Sequence, residues 1–277
     1  NVILYVVEFA YGNQKFIMTE KNNKNHLQIR VDIPIWHKEN MINCGVQALL
    51  PSNWKAFAWI DADIEFESTT WALDTLKILN GSKDIVQLFS HALDMDKYKK
   101  TMTVFNSFGY QYTHQKKYGS KGCEYWHPGF AWACTRKAYE KMEGLYEYGI
   151  LGSSDNIMAL SLIGNGIKGV DSKSTDGYKA TVLNFQNKVK NLRLGYVPGV
   201  IKHHFHGSKK NRKYTERWQI LVSHLYDPFE HLDSEQGSNT NNNKCKVLIP
   251  SFKCSKDLIS AIYNYFEERN EDEGYNQ

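Results

Sequence analysis

Over residues 2–89 short β-branched runs alternate with segments of helical period, and this alternation confines the chain to an α/β fold. Residues 2–7, VILYVV, suit a buried parallel strand. Residues 39–50 place Ile42, Val46, Leu49 and Leu50 on one side of a helix that Pro51 ends, and residues 57–60 read as a second central strand. Ser68 is placed to cap a helix through Trp71, Leu73, Leu76 and Leu79 to Gly81, and residues 84–89 supply another strand. The order β, α, β, α, β implies a mostly parallel central sheet flanked by helices.

In open sheets of this kind ligands bind beyond the carboxyl ends of the strands. Here the strand at 57–60 runs straight into Asp61, Asp63, Glu65 and Glu67. Four carboxylates so close repel one another, so a positive partner is expected beside them.

Beyond residue 90 the organisation loosens. Residues 98–129 are rich in Tyr, Lys, Gly and His without a clear period, as in a binding region built from loops. Helices are expected at 135–143, stopped by Gly144, and from Ser153 or Ser154 through Ile157, Leu160 and Leu162 to Gly164. A strand follows over 194–201, and then a helix marked by Trp218, Leu221, Val222 and Leu225. These elements give a domain over 1–232. Residues 233–244, with their run of Asn, read as a flexible linker, and 245–277 as a strand-and-helix appendage.

With 277 residues, 42% of them hydrophobic, the chain can bury one large core, and no apolar run approaches the ~20 residues that span a bilayer. Five cysteines without a CxxC pair fit neither a disulfide framework nor a zinc knuckle and point to a reducing compartment. The net charge of +4 is dispersed, which argues against nucleic acid as a partner. Oligomeric state is not legible.

Four stretches carry chemistry. Asp61 and Asp63, one residue apart past a buried strand, suit a hard divalent ion completed by substrate phosphates, Mn²⁺ or Mg²⁺; a solvated acidic turn is the plain alternative. In HHFHGSKKNRKY, His203 and His206 are three apart, as metal ligands or as a surface loop. Lys209, Lys210 and Arg212 follow, able to neutralise a departing diphosphate or simply to be solvated. In YWHPGFAWA, Trp126 and Trp132 with Gly129 form either a platform for a sugar face or part of the core. Asp155 falls in the first turn of a helix, as a base for an attacking hydroxyl or as a plain N-terminal helix charge.

In their order, KENMINCGVQALLPSNWKAFAWIDADIEF, YWHPGFAWACTRKAYEKMEGLYEYGILGSSDN and HHFHGSKKN resemble metal-dependent glycosyltransferases of the GT-A fold, in particular the β-1,4-galactosyltransferase-like group and its family-2-like bacterial and viral relatives. The likeness covers about residues 1–230. It implies a GT-A fold with a C-terminal appendage, and inverting transfer from a nucleotide-diphosphate sugar, a UDP-sugar foremost, to a glycan or protein hydroxyl. Residue by residue it matches Asp63 and His206 to metal ligands and Asp61 to the aspartate near the ribose. His203 stands where animal members carry a Met ligand. Lys38 and Asn43 fall where the helix approaches the nucleotide, and Asp155 in the region of the acceptor-activating acid. The family's Gly-Gly-Glu-Asp-Asp cluster is reduced here to Gly152-Ser153-Ser154-Asp155-Asn156, leaving the base to Asp155 alone. The covered chain shows no lumenal anchor or stem, so a bacterial or viral protein in the cytoplasm is expected. Two rivals remain: nucleotidyl transfer, which would more often want a Gly-rich phosphate loop not seen in EFAYGNQKFIM, and a non-catalytic carbohydrate-binding protein.

Overall fold

A computed structural model describes residues 2–207, 209–238 and 244–269. In chain order the first half runs β1 Val6–Tyr11, β2 His26–Val31, α1 Lys38–Leu49, β3 Ala56–Ile60, β4 Ile64–Phe66, α2 Trp71–Gly81, β5 Ile85–Gln87, β6 His91–Met95, β7 Thr101–Ser107 and α3 Phe108–Thr113. Then follow β8 Trp126–His127, β9 Ala131–Thr135, α4 Arg136–Met142, α5 Ser154–Leu162, α6 Asp176–Val189, β10 Leu194–Tyr196, β11 Val200–His203, α7 Arg217–Ser223, α8 Pro228–His231, β12 Leu232–Ser238, β13 Lys244–Pro250 and α9 Lys256–Arg269. The α/β class stands. No described helix is long and apolar enough to cross a membrane.

The sheets are mixed, where a mostly parallel one was expected. One has the order β10-β5-β9-β3 and another β4-β11-β6-β7-β8, with two further two-stranded pairs. β3 and β5 are joined through helix α2 and run in the same direction, but β9 lies between them, antiparallel to both. Its apolar run AWAC fills that slot with residues buried on both faces. The first strand also starts later than its sequence suggests: Val2, Ile3 and Leu4 are exposed, and among the described residues β1 pairs only with β2. The single strand expected over 194–201 is two. Pro198, which lacks an N–H, falls between β10 and β11, and the chain passes from one sheet to the other at that point.

The tail is not an appendage. Residues 233–238 belong to β12, which pairs with β13; residues 239–243 of the expected linker lie outside the described residues. β13 is hydrogen-bonded to the α1 side: Asn40 Nδ2 donates to Lys246 O (3.0 Å), Leu248 N donates to Asn40 Oδ1 (3.0 Å), and His37 Nε2 lies 2.9 Å from Leu248 O. Leu258, Ile262 and Tyr265 of α9 are buried in the same core cluster that contains Trp59, Trp132 and Ile157. Ile262→Ala is therefore expected to lower unfolding free energy by about 2–5 kcal/mol in a denaturant titration. A loss below about 1 kcal/mol would return the tail to the status of a dispensable extension.

Candidate metal centre and cleft

The strand ladder itself assembles the centre. β4 runs antiparallel to β11 with His203 opposite Ile64, so Asp63, one residue earlier, meets the histidines, and His204 N donates to Asp63 O (2.9 Å). Asp63 Oδ2 lies 3.3 Å from His203 Nε2 and 2.7 Å from His206 Nε2, and the two imidazole nitrogens are 3.2 Å apart. These three atoms make a triangle with edges close to the ~3 Å that separates adjacent ligands of a six-coordinate ion bound at about 2.1 Å. Asp63 Oδ1 is buried without a hydrogen-bond partner, an arrangement that is costly unless something else satisfies it. Donor set, spacing and orphaned oxygen fit a divalent cation, and two imidazoles favour a transition ion such as Mn²⁺ over Mg²⁺.

Asp94, which the sequence did not single out, supports the centre from behind. In the parallel pairing of β11 with β6 it stands across from His203, buried, with Oδ1 2.7 Å from His203 Nδ1. A carboxylate there favours the proton on Nδ1, so that Nε2, on giving up its own proton, would be the nitrogen left to ligate an ion beside Asp63. The ring plane is fixed by Phe130, stacked on His203 at 4.6 Å and on His127 at 3.9 Å. Burial works against a charged His203, but the Asp63 and Asp94 carboxylates outweigh it and raise its pKa. Burial likewise opposes ionisation of Asp63, yet hydrogen bonds and charge from both histidines hold it well below the usual carboxylate range. Asp94→Asn is expected to keep the fold and weaken Mn²⁺ binding roughly 10–100-fold, read by calorimetry without any substrate. Unchanged affinity would show that His203 needs no outer partner.

The acidic run is answered in parts. Glu65 and Glu67 face Lys202 of β11, and Glu65 also meets His204 at 3.0 Å; both carboxylates are exposed and belong to the sheet surface. Asp61 pairs with Lys38 at the start of α1, and its N–H donates to Phe130 O (2.9 Å). Burial would lower the Lys38 pKa, but Asp61, Glu39 and Asp155 together raise it. Glu39 is buried beside it. Burial pushes its pKa up to about 7, Lys38 opposing and Asp155 reinforcing the shift.

Lys38, Asp61, Asp63, Asp155, His206 and Arg212 all line one cleft of about 2420 Å³. Arg212 sits against His206, its Nη2 2.7 Å from Nε2, while Tyr265 of α9 donates to the Arg212 carbonyl (3.1 Å). The side chains of Lys209 and Lys210 lie outside the described residues. Asp155 rests against Gly129: a Cβ there would stand 3.0 Å from Asp155 Oδ2 and 3.2 Å from His127 Cε1, so glycine lets the carboxylate reach this wall. Ser153 occupies the position before α5, but its side chain makes no capping bond; its oxygen instead accepts from Arg217 Nη2.

Three expected contacts are not in the cleft. Asn43 is buried and fully engaged, donating to Leu145 O (3.0 Å) and Glu147 Oε2 (2.7 Å) and accepting from Leu145 N (2.8 Å) and Tyr139 OH (3.1 Å). It ties α1 to the turn after α4 and cannot face a nucleotide. Trp126 and Trp132 are core residues. Trp126 packs on Phe108 and Tyr118 and donates to Lys117 O, while Trp132 stacks on Trp59 and donates to Pro128 O (2.8 Å). Of the stretch YWHPGFAWA, Tyr125, His127 and the Pro128–Gly129–Phe130 turn reach the cleft, but neither tryptophan does.

A search against protein-family models gives no match for this chain, and neither do searches of curated proteins and of solved structures.

Proposed function

We propose that the protein is a metal-dependent glycosyltransferase of GT-A type that moves a sugar from a nucleoside-diphosphate sugar, a UDP-sugar foremost, to a hydroxyl of a glycan or protein. One observation carries this reading: the second aspartate of the D-x-D and two histidines 140 residues further on meet at ligand spacing beside an orphaned carboxylate oxygen, on the wall of a large cleft. Asp63, His203 and His206 would hold the ion, Mn²⁺ by the donor set, which neutralises diphosphate charge when bound. The remaining roles fall to this chain's own groups. Arg212, beside His206, places a second cation where a diphosphate would leave. Lys38 and Asp61 form the polar wall that the nucleotide end would meet. Asp155, across the Gly129 turn, accepts the proton of the attacking hydroxyl. Direct displacement with inversion and a cytoplasmic setting belong to the same proposal.

The test is release of nucleoside diphosphate from a panel of UDP-, GDP- and TDP-sugars with Mn²⁺, and its loss on chelation. Pyrophosphate release from a nucleoside triphosphate would point to nucleotidyl transfer instead, and glycan binding without donor turnover to a carbohydrate-binding protein. The two-histidine, one-carboxylate set is also one that holds ferrous iron in oxygenases, so oxygen consumption with Fe²⁺ is the control.

A further inference from the structure

Arg217 is hard to explain as a structural residue. It is 8% exposed, yet among the described residues no carboxylate pairs with it. Its hydrogen bonds go to neutral acceptors, Nη1 to Leu151 O (3.0 Å) and Nη2 to Ser153 Oγ, and Nε is buried with no acceptor. Two of the five guanidinium N–H groups are thus used, and a buried cation without a counter-charge is expensive to keep. Its position in the first turn of α7 adds no compensation, since the helix dipole there opposes a cation. The ring of Tyr214, 5.2 Å away, offsets part of the charge from one side.

The segment it holds is itself strained. Ser153, a non-glycine residue, is held at φ +77°; beside it Gly152 takes φ +93° freely, and a Cβ there would stand 2.8 Å from Arg217 Nη1. This turn leads directly into α5 and Asp155. Arg217, Gly152, Ser153, Asp155, Tyr125 and Tyr214 share the cleft wall. The Arg217 charge is felt at Tyr125, where the Asp155 charge is also felt. The diphosphate end, by contrast, already has Arg212.

We infer that Arg217 binds an oxyanion of the acceptor, a carboxylate or phosphate group, so that the acceptor of the transferase proposed above is an acidic sugar and its hydroxyl is presented to Asp155. The ligand's charge supplies the counter-ion that the fold withholds. Charge-assisted bonds of this kind are worth about 10- to 100-fold in affinity.

The test is binding of glucuronic acid, glucose 6-phosphate and glucose to the full chain with Mn²⁺ and UDP, followed by saturation-transfer NMR, in the natural protein and in Arg217→Lys and Arg217→Gln. The anionic sugars should bind at least about tenfold tighter than glucose; Arg217→Lys should keep part of that preference and Arg217→Gln should lose it. Equal binding of the three sugars by the natural protein overturns the inference whatever the variants do. So does a preference that survives in a folded Arg217→Gln protein. UDP affinity, measured in the same samples, separates the two levels. If it falls with Arg217, the residue serves the donor diphosphate and the acceptor inference fails. If UDP does not bind the natural protein at all, the transferase reading fails, while an Arg217-dependent preference for anionic sugars would still show an oxyanion site.

Discussion

Asp63→Ala is expected to abolish the Mn²⁺-dependent part of UDP binding and, with it, all turnover. The argument is geometric. Asp63 Oδ2 is the vertex shared by both histidine contacts, at 3.3 and 2.7 Å, and without it two imidazoles remain, one of them partly exposed. Loss of a direct ligand should exceed the roughly 10–100-fold that an outer partner such as Asp94 is worth. In metal-free buffer the same change should be mild. The two imidazole contacts are lost, but so is a buried oxygen with no partner, and each effect is on the order of 1–3 kcal/mol with opposite sign. The expected pattern is thus a variant that melts close to the natural protein in chelator and gains no stability from Mn²⁺, where the natural protein gains with ion concentration. Calorimetry of UDP with and without Mn²⁺ completes the test. Undiminished, ion-dependent nucleotide affinity in the variant would remove Asp63 from the metal centre and the centre from the mechanism.

The parts of the fold legible in the sequence are those where a local pattern and its tertiary setting agree. α1 follows its 42, 46, 49 stripe and stops at Pro51; α4 starts at Thr135, whose side chain accepts from Ala138 N (3.1 Å). α6 was not expected, although Tyr178, Val182, Phe185 and Val189 are spaced by four, three and four and all are buried. The polar residues between them, and a cap at Thr175 set in the mixed run KSTDGY, blur that period. Strand pairing was the larger obstacle. Nothing local in AWAC tells it to insert between β3 and β5, because that choice is made by burial of both faces against residues far away in sequence.

The site divides along the same line. Asp63, His203 and His206 could be named because metal chemistry restricts residue types, and the β4–β11 ladder then brings them together. Asp94 could not, because its role depends on standing across from His203 in a parallel register that neither strand announces. The tryptophans show the converse error. An aromatic run beside glycine has the composition of a sugar platform, but β9 alternates through the core and takes Trp132 inward, so neither tryptophan lines the cleft. Arg217 lay in a helix whose apolar stripe drew attention instead, and its importance rests on what does not surround it.

Asp155→Asn should behave oppositely to the Asp63 change. The substitution keeps an oxygen to accept from Asn156 N, the 2.7 Å bond that Oδ1 now makes, and keeps the shape that packs against Gly129, so the turn and α5 should hold. Mn²⁺ and UDP should bind as in the natural protein. Transfer should fall by about 10²–10⁴-fold, the range that a positioned general base contributes, with the loss in kcat rather than in donor KM. A second readout follows from charge. Asp155 is one of the groups that raise Glu39 to about 7, so removing its charge should shift the Glu39 titration downward. A raised carboxyl gives its full stabilising contribution below the unfolded pKa and loses it as pH rises to the folded value; in Asp155→Asn that loss should therefore be smaller and be complete at lower pH. The shift reports that the two carboxyls share a field whether or not the enzyme turns over. If transfer survives in Asp155→Asn while the Glu39 shift appears, the proton goes to another group on this wall, and Glu39, buried one residue from Lys38, is the carboxyl to replace next.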